Sequence, residues 1–181
     1  MKIFRIITVI IGLISVIGVF SPASAGMKGN SIQFTPFFGG YAFEGDQHLE
    51  NGPTIGGAIG YNFTPNVGLE AVVNYVDSES TRHEGSVDGW LYHVDGVISI
   101  TNLSDRFTPY FAAGLGGVSR QPSDGTDDED TMFIYGLGAR YFVSDDVALR
   151  VDARHVYAFG DPENNFQLTV GASFQFELPG Y

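Results

Sequence analysis

Between Phe166 and Leu178, polarity switches at every step. Phe166, Leu168, Val170, Ala172, Phe174 and Phe176 fall on one parity, and Gln167, Thr169, Gly171, Ser173, Gln175 and Glu177 on the other. Successive side chains of a β-strand point to opposite faces, so this segment predicts a strand with one apolar face and one polar or small face. A water-soluble antiparallel sheet shows the same alternation. What must be decided is which face turns inward.

The 181 residues suggest one domain. Cysteine is absent, which excludes a disulfide framework, a thiolate metal site and a lipidated N-terminal cysteine. Residues 1–25 read as a cleaved signal peptide: Lys2 and Arg5 are the positive start, Ile6 to Phe20 the apolar centre, and Ala23-Ser24-Ala25 the small-residue cleavage site. That centre is shorter than the ~20 residues a membrane helix needs. Residues 26–181 then form the mature domain, with seven of the nine basic residues facing all 21 acidic ones. Such an acidic chain repels nucleic acid. No apolar run in it reaches membrane-helix length. Contact with a membrane therefore has to be made by strands closed into a barrel, because open sheet edges are not tolerated in lipid.

Seven more alternating segments precede the last. They are predicted at Ser31–Phe43, Ile55–Phe63, Val67–Tyr75, Val87–Asn102, Thr108–Val118, Thr131–Phe142 and Val147–Tyr157. In the first, Ile32 and Phe34 disagree in parity with Tyr41 and Phe43, which predicts a reset at Pro36 or a bulge near Gly39-Gly40. The small residues of the fifth leave its facing open. Each segment is close to the ~9–11 residues of a tilted membrane-crossing strand. Connections alternate long and short, as in barrels with long external loops and short periplasmic turns. The prediction is an all-β, eight-stranded antiparallel up-and-down transmembrane β-barrel.

With the apolar parity outward, Glu70, Asp95, Arg140, Arg150, Asp152 and Arg154 share the interior, three acids with three arginines. Small residues on the same parity, such as Gly136 and Gly138, leave room for the arginines in a lumen only wide enough for side chains. Counted from the short turns, Glu70, Arg140 and Arg150 form a lower layer, and Asp95, Asp152 and Arg154 an upper one. Aromatic residues fall into two bands, as expected of girdles at two membrane interfaces. Tyr61, Phe63, Phe107, Tyr110, Tyr141, Phe174 and Phe176 lie near the short turns. Tyr75, Trp90, Tyr92, Phe133, Tyr135, Tyr157 and Phe166 lie near the long loops.

The pattern resembles the OmpA-type outer-membrane β-barrel domain of Gram-negative bacteria. The local pieces that carry the resemblance are Gly60-Tyr61-Asn62-Phe63, Thr108-Pro109-Tyr110-Phe111 and the aromatic-ended last strand at Phe176. The resemblance implies export to the outer membrane, contact with its lipid and lipopolysaccharide, and assembly by the insertion machinery that reads such a terminal strand. Here five residues, Glu177 to Tyr181, follow Phe176. Larger members carry a peptidoglycan-binding domain after the barrel, and the sequence shows none.

The six lumen charges are expected to form buried ion networks that plug a monomeric barrel, because unpaired buried charge is costly. A narrow porin with a conducting lumen is the alternative. A lipid A-modifying enzyme needs a nucleophile, a base and an orienting acid in mutual reach. His83, Glu84, Ser86 and His155 do not supply that constellation, so no catalytic residue is assigned. The acidic run Asp127-Asp128-Glu129-Asp130 reads as a solvated loop or a divalent-cation site without EF-hand spacing. No metal ligand set or cofactor motif is assigned.

Overall fold

The computed structural model describes residues 26–42, 51–79, 86–122, 128–159 and 163–179. The expected signal peptide lies outside the described residues. Eight strands follow in chain order: β1 Ser31–Ala42, β2 Gly52–Asn62, β3 Val67–Glu79, β4 Ser86–Ser99, β5 Phe107–Pro122, β6 Asp128–Phe142, β7 Val147–Ala158 and β8 Glu163–Glu177. Each pairs antiparallel with the next, and β8 returns to β1, closing a barrel.

Closure carries a stagger. From Ser31 the hydrogen-bonded neighbours run through Asn62, Gly68, Val97, Ala112, Gly136, Arg154 and Gln167 and re-enter β1 at Tyr41, ten residues along. Eight strands about 4.8 Å apart, offset by that amount, tilt roughly 40° from the barrel axis. Residues 63–66, 100–106 and 143–146 join β2 to β3, β4 to β5 and β6 to β7 at one end, here the turn end. The other end is the loop end. The expected long-short alternation is weakened, because β3 to β8 extend into the segments expected as loops. The connections 80–85, 123–127 and 159–162 are therefore shorter than 100–106.

The outward parity is apolar apart from a few positions toward the loop end, among them His155, Asp77, Thr131 and Asn164. Phe38, Ile59, Val73, Val94, Leu115, Leu137, Leu149 and Leu168 are all exposed. Phe133 and Tyr141, eight residues apart on β6, place the two aromatic bands about 20 Å apart along the axis, near the height of an outer-membrane apolar belt.

Three expectations are corrected. No bulge interrupts β1, whose register with β2 is continuous from Ser31 to Tyr41. Tyr41 is 3% exposed and faces the lumen, so the conflict of parity is an aromatic residue turned inward, not a slip. Tyr110 likewise leaves the turn-side band: it is 1% exposed and inside the barrel. Finally, β5 and β6 extend further than their alternation suggests, so Asp128, Glu129 and Asp130 belong to a strand rather than a loop. Asp127 lies outside the described residues.

At the turn end, Asn30 adopts a left-handed backbone, φ 49°, which asparagine tolerates better than most residues. Its amide donates to the Leu178 carbonyl and its side-chain oxygen accepts from the Tyr61 hydroxyl, fixing the entry into β1 beside the exit from β8.

The lipid-facing surface yields the first prediction. Leu137→Arg, at mid-height of β6, should cost about 2–4 kcal/mol, and Leu103→Arg, in the exposed β4–β5 turn, about 0–1 kcal/mol. Urea unfolding of the two variants in lipid vesicles measures the difference. Equal costs would mean that Leu137 does not face hydrocarbon.

Candidate functional site

The inward parity of the eight strands fills the lumen in tiers. All six charged residues singled out from the sequence point inward, none more than 7% exposed. Strand β7 supplies Arg150, Asp152 and Arg154 at alternate positions on one face. Glu70 on β3 and Asp95 on β4 are lateral neighbours across the barrel. Directly opposed like charges destabilise a strand pair, and the two arginines of β7 reach across the lumen to neutralise them.

Arg150 is the hub. Its guanidinium forks onto both oxygens of Glu70, with Nη2 2.8 Å from Oε1. Its Nε donates to Asp152 Oδ2 at 2.6 Å. Arg154 donates from Nη1 to Asp95 Oδ2 at 2.7 Å, and from Nη2 and Nε to Asp152 Oδ1 at 3.0 and 3.2 Å. The structure thus brings five of the six residues into one ionic network. It contains bidentate and multiply hydrogen-bonded pairs, the geometry that best offsets desolvation of buried charge.

Arg140 stands apart. Among the described residues it makes no ion pair. Its Nη1 donates to Ser99 Oγ at 3.2 Å, its Nε has no partner, and its guanidinium carbon lies 4.1 Å from the centre of the Tyr110 ring. Arg140 and Arg150 are lateral neighbours of like charge. Tyr110 separates them, with Arg150 5.1 Å from the same ring, and cation–π attraction eases the pairing. The Tyr110 hydroxyl donates to Asp152, joining the ring to the network. Gly138 makes this possible: a Cβ there would run into the Tyr110 ring.

Two participants escaped the sequence reading. Tyr110 was assigned to the membrane interface because an aromatic near a strand end fits a girdle, and its neighbours on β5 are too small to fix the parity. His93 shares the parity of Asp95 on β4, which puts it on the inner face. It is buried, with Nδ1 2.7 Å from Asp95 Oδ1. Their signal was parity with Thr108 and with Asp95, respectively.

The lumen is not polar along its whole length, as the alternation had suggested. Toward the loop end, Tyr41, Val76, Leu91, Val118, Met132, Ile134 and Val156 form an apolar cluster. They come from six of the eight strands; β2 and β8 turn the buried polar Thr54 and Asn165 inward toward the same end. At the turn end, Met27 packs with Phe142 and Ala148. The segment carrying Met27 is tied beneath the mouth. Gln175 donates to the Gly26 carbonyl and accepts from the Lys28 amide, and Ser31 Oγ donates to the Lys28 carbonyl. Lys28 Nζ lies 2.8 Å from Asp146, and that hydrogen bond raises the lysine above its ordinary pKa. Between the two apolar closures, the space among Glu70, His93, Arg150, Asp152, Arg154 and Thr169 is about 20 Å³, room for about one water.

His83 and Glu84 lie outside the described residues. His155 faces outward between Tyr135 and Phe166, its ring tilted 50° to the first and edge-on to the second, with ring centres 5.1 and 4.8 Å away. Among the described residues no cluster of three or more acidic or histidine side chains is arranged to hold a metal ion.

A family model of the outer membrane protein beta-barrel domain matches residues 11–176. The chain belongs to this family. Its localisation follows: it is a protein of the bacterial outer membrane, of the OmpA type. It is 28% identical over 180 residues to outer membrane protein Omp38 of Acinetobacter baumannii, covering 84% of this chain and 50% of Omp38. The chain thus spans about half the length of that relative. The N-terminal β-barrel domain of Pseudomonas aeruginosa OprF superposes with a TM-score of 0.59 at 22% identity, over 82% of this chain and 98% of that domain. Ail, the attachment invasion locus protein of Yersinia pestis, superposes at 0.55 with 16% identity, over 83% of this chain and all of Ail. At these identities the structural likenesses concern the fold.

The network gives a second prediction. Glu70→Leu strips Arg150 of its forked partner and should cost about 3–5 kcal/mol, whereas Glu70→Leu with Arg150→Met should cost less than the single change. Urea unfolding in vesicles reads both. A double variant less stable than the single one would show that the pair is not energetically coupled in this way.

Proposed function

We propose that this outer-membrane barrel is a closed scaffold with a structural or surface-interaction role, and that its lumen does not conduct. One observation carries the reading: an ionic layer held by Arg150 and Arg154 lies beneath an apolar cluster built from six of the eight strands. An ion entering from the loop end would have to shed water against Leu91, Ile134 and Met132. It would then meet arginines and carboxylates already paired with one another. Desolvation without a compensating partner is the barrier. Eight-stranded lumens are in general filled by side chains.

With the lumen closed, the surfaces left for partners are the lipid-facing wall and the loop-end connections. The latter join β1 to β2, β3 to β4, β5 to β6 and β7 to β8. Long loops of such barrels face outward from the cell, so contact with other cells or molecules would be made there. The name of one relative, outer membrane porin F of Pseudomonas fluorescens, keeps a narrow conducting pore as the competing reading.

Planar-bilayer recording of the purified protein separates them. The closed reading expects no steady ohmic steps from the native protein, and steps appearing when Leu91→Gly and Ile134→Gly thin the apolar layer together. Steady native channels that disappear on neutralising Arg140 or Arg150 would replace the scaffold with a pore.

A further inference from the structure

The lipid-facing wall is not uniform. Strands β7, β8, β1 and β2 carry a trough of about 720 Å³. Its floor is one lateral row, Arg150, Gly171, Phe37 and Gly56, paired strand to strand. Their inward parity leaves only backbone on the outside. The bank on the loop side is high: Val151, Val170, Phe38 and Ile55 are lateral neighbours, with Phe38 57% and Ile55 64% exposed. On the turn side, Tyr141 and Leu149 are large, but the bank drops to Ala172 and Pro36 where it crosses from β8 to β1. Across the barrel, β3 to β5 present Val73, Tyr92, Val94 and Leu115 outward, all large and exposed.

Because the strands tilt, this trough climbs obliquely. Its lower end opens beside Phe107 and Tyr141, lateral partners in the turn-side aromatic band. Its upper end stops at Ile55, which pairs with Tyr75 of the loop-side band. Arg106 is exposed and immediately precedes Phe107, which lines the lower end. Among the described residues it makes no ion pair. At the turn end Lys28 is engaged by Asp146, and Arg140, Arg150 and Arg154 are shut inside. An exposed, unengaged cation in so acidic a chain is a phosphate partner in search of its anion.

We propose that the trough docks one phospholipid of the turn-side leaflet, its acyl chain lying against Gly171 and Ala172 and its phosphate on Arg106. The lining is apolar and sits between the two aromatic bands, where the only available occupant is a hydrocarbon chain. The open end and the cation coincide at the turn side. A chain from the opposite leaflet would have to enter past Ile55 and Tyr75.

Photolabelling tests this. The folded protein is placed in phosphatidylethanolamine vesicles containing a minor fraction of phosphatidylglycerol with a diazirine on its acyl chain, and adducts are mapped by peptide mass spectrometry. Labelling of Val151, Val170 and Phe38 should exceed that of Val73 and Val94 several-fold. Ala172→Phe, which raises the low bank, should abolish the excess, and Ala139→Phe does the same if the first variant fails to fold. Arg106→Gln should reduce it, and a diacylglycerol probe with the same chain should show none. Even labelling round the barrel, an excess surviving both phenylalanine variants, or an excess indifferent to Arg106→Gln and to loss of the phosphate overturns the proposal. A conducting lumen would leave the result unchanged, so this test and the bilayer recording fail independently.

Discussion

The pairing of β8 with β1 is the constraint on which everything else depends. A strand in hydrocarbon has no water to satisfy its backbone, so the sheet must leave no edge. Once the eight strands close with a ten-residue stagger, the tilt and the radius are fixed. The interior is then too narrow for bulk water and too wide to be filled by glycine and alanine alone. Every inward side chain has to be chosen against those facing it across the lumen, from strands distant in sequence.

The charged tier answers that constraint in one way. Glu70 and Asp95 are adjacent on neighbouring strands and would repel. The arginines of β7 cross the lumen and engage both, so the ion pairs also brace opposite walls. Buried ion pairs are weak evidence of added stability, since well-packed apolar groups often do as well. What the arrangement supplies is discrimination: a register shift in β7 would turn Arg150, Asp152 and Arg154 toward lipid. Arg140 is handled differently, by an aromatic face and a serine, because the nearby carboxylates are already taken. The apolar tiers above and below use ordinary close packing.

The outer surface obeys a looser rule. Any apolar residue satisfies lipid, so its relief is free to vary, and small residues such as Ala172 and Pro36 persist there without leaving an unsatisfied group. A shared fold does not transfer a role from OprF or Ail to this chain.

Alternation determined the number of strands, because a period of two is a local property of the chain; the outward face followed from the charges and small residues gathered on the other parity. The six lumen charges were legible for the same reason: each sits on the minority parity of an otherwise greasy strand. Local sequence was silent on how those charges would be matched. It placed Tyr110 in the membrane interface, expected a break in β1 to accommodate Tyr41, and gave no hint that Leu91, Ile134 and Val156 would meet in one apolar layer. These are decided by height and azimuth in a closed cylinder, which follow from the stagger of all eight strands together. The Tyr110 hydroxyl finds Asp152 two strands away, and its ring finds Arg140 on the adjacent β6, only once the sheet has curved into a closed cylinder.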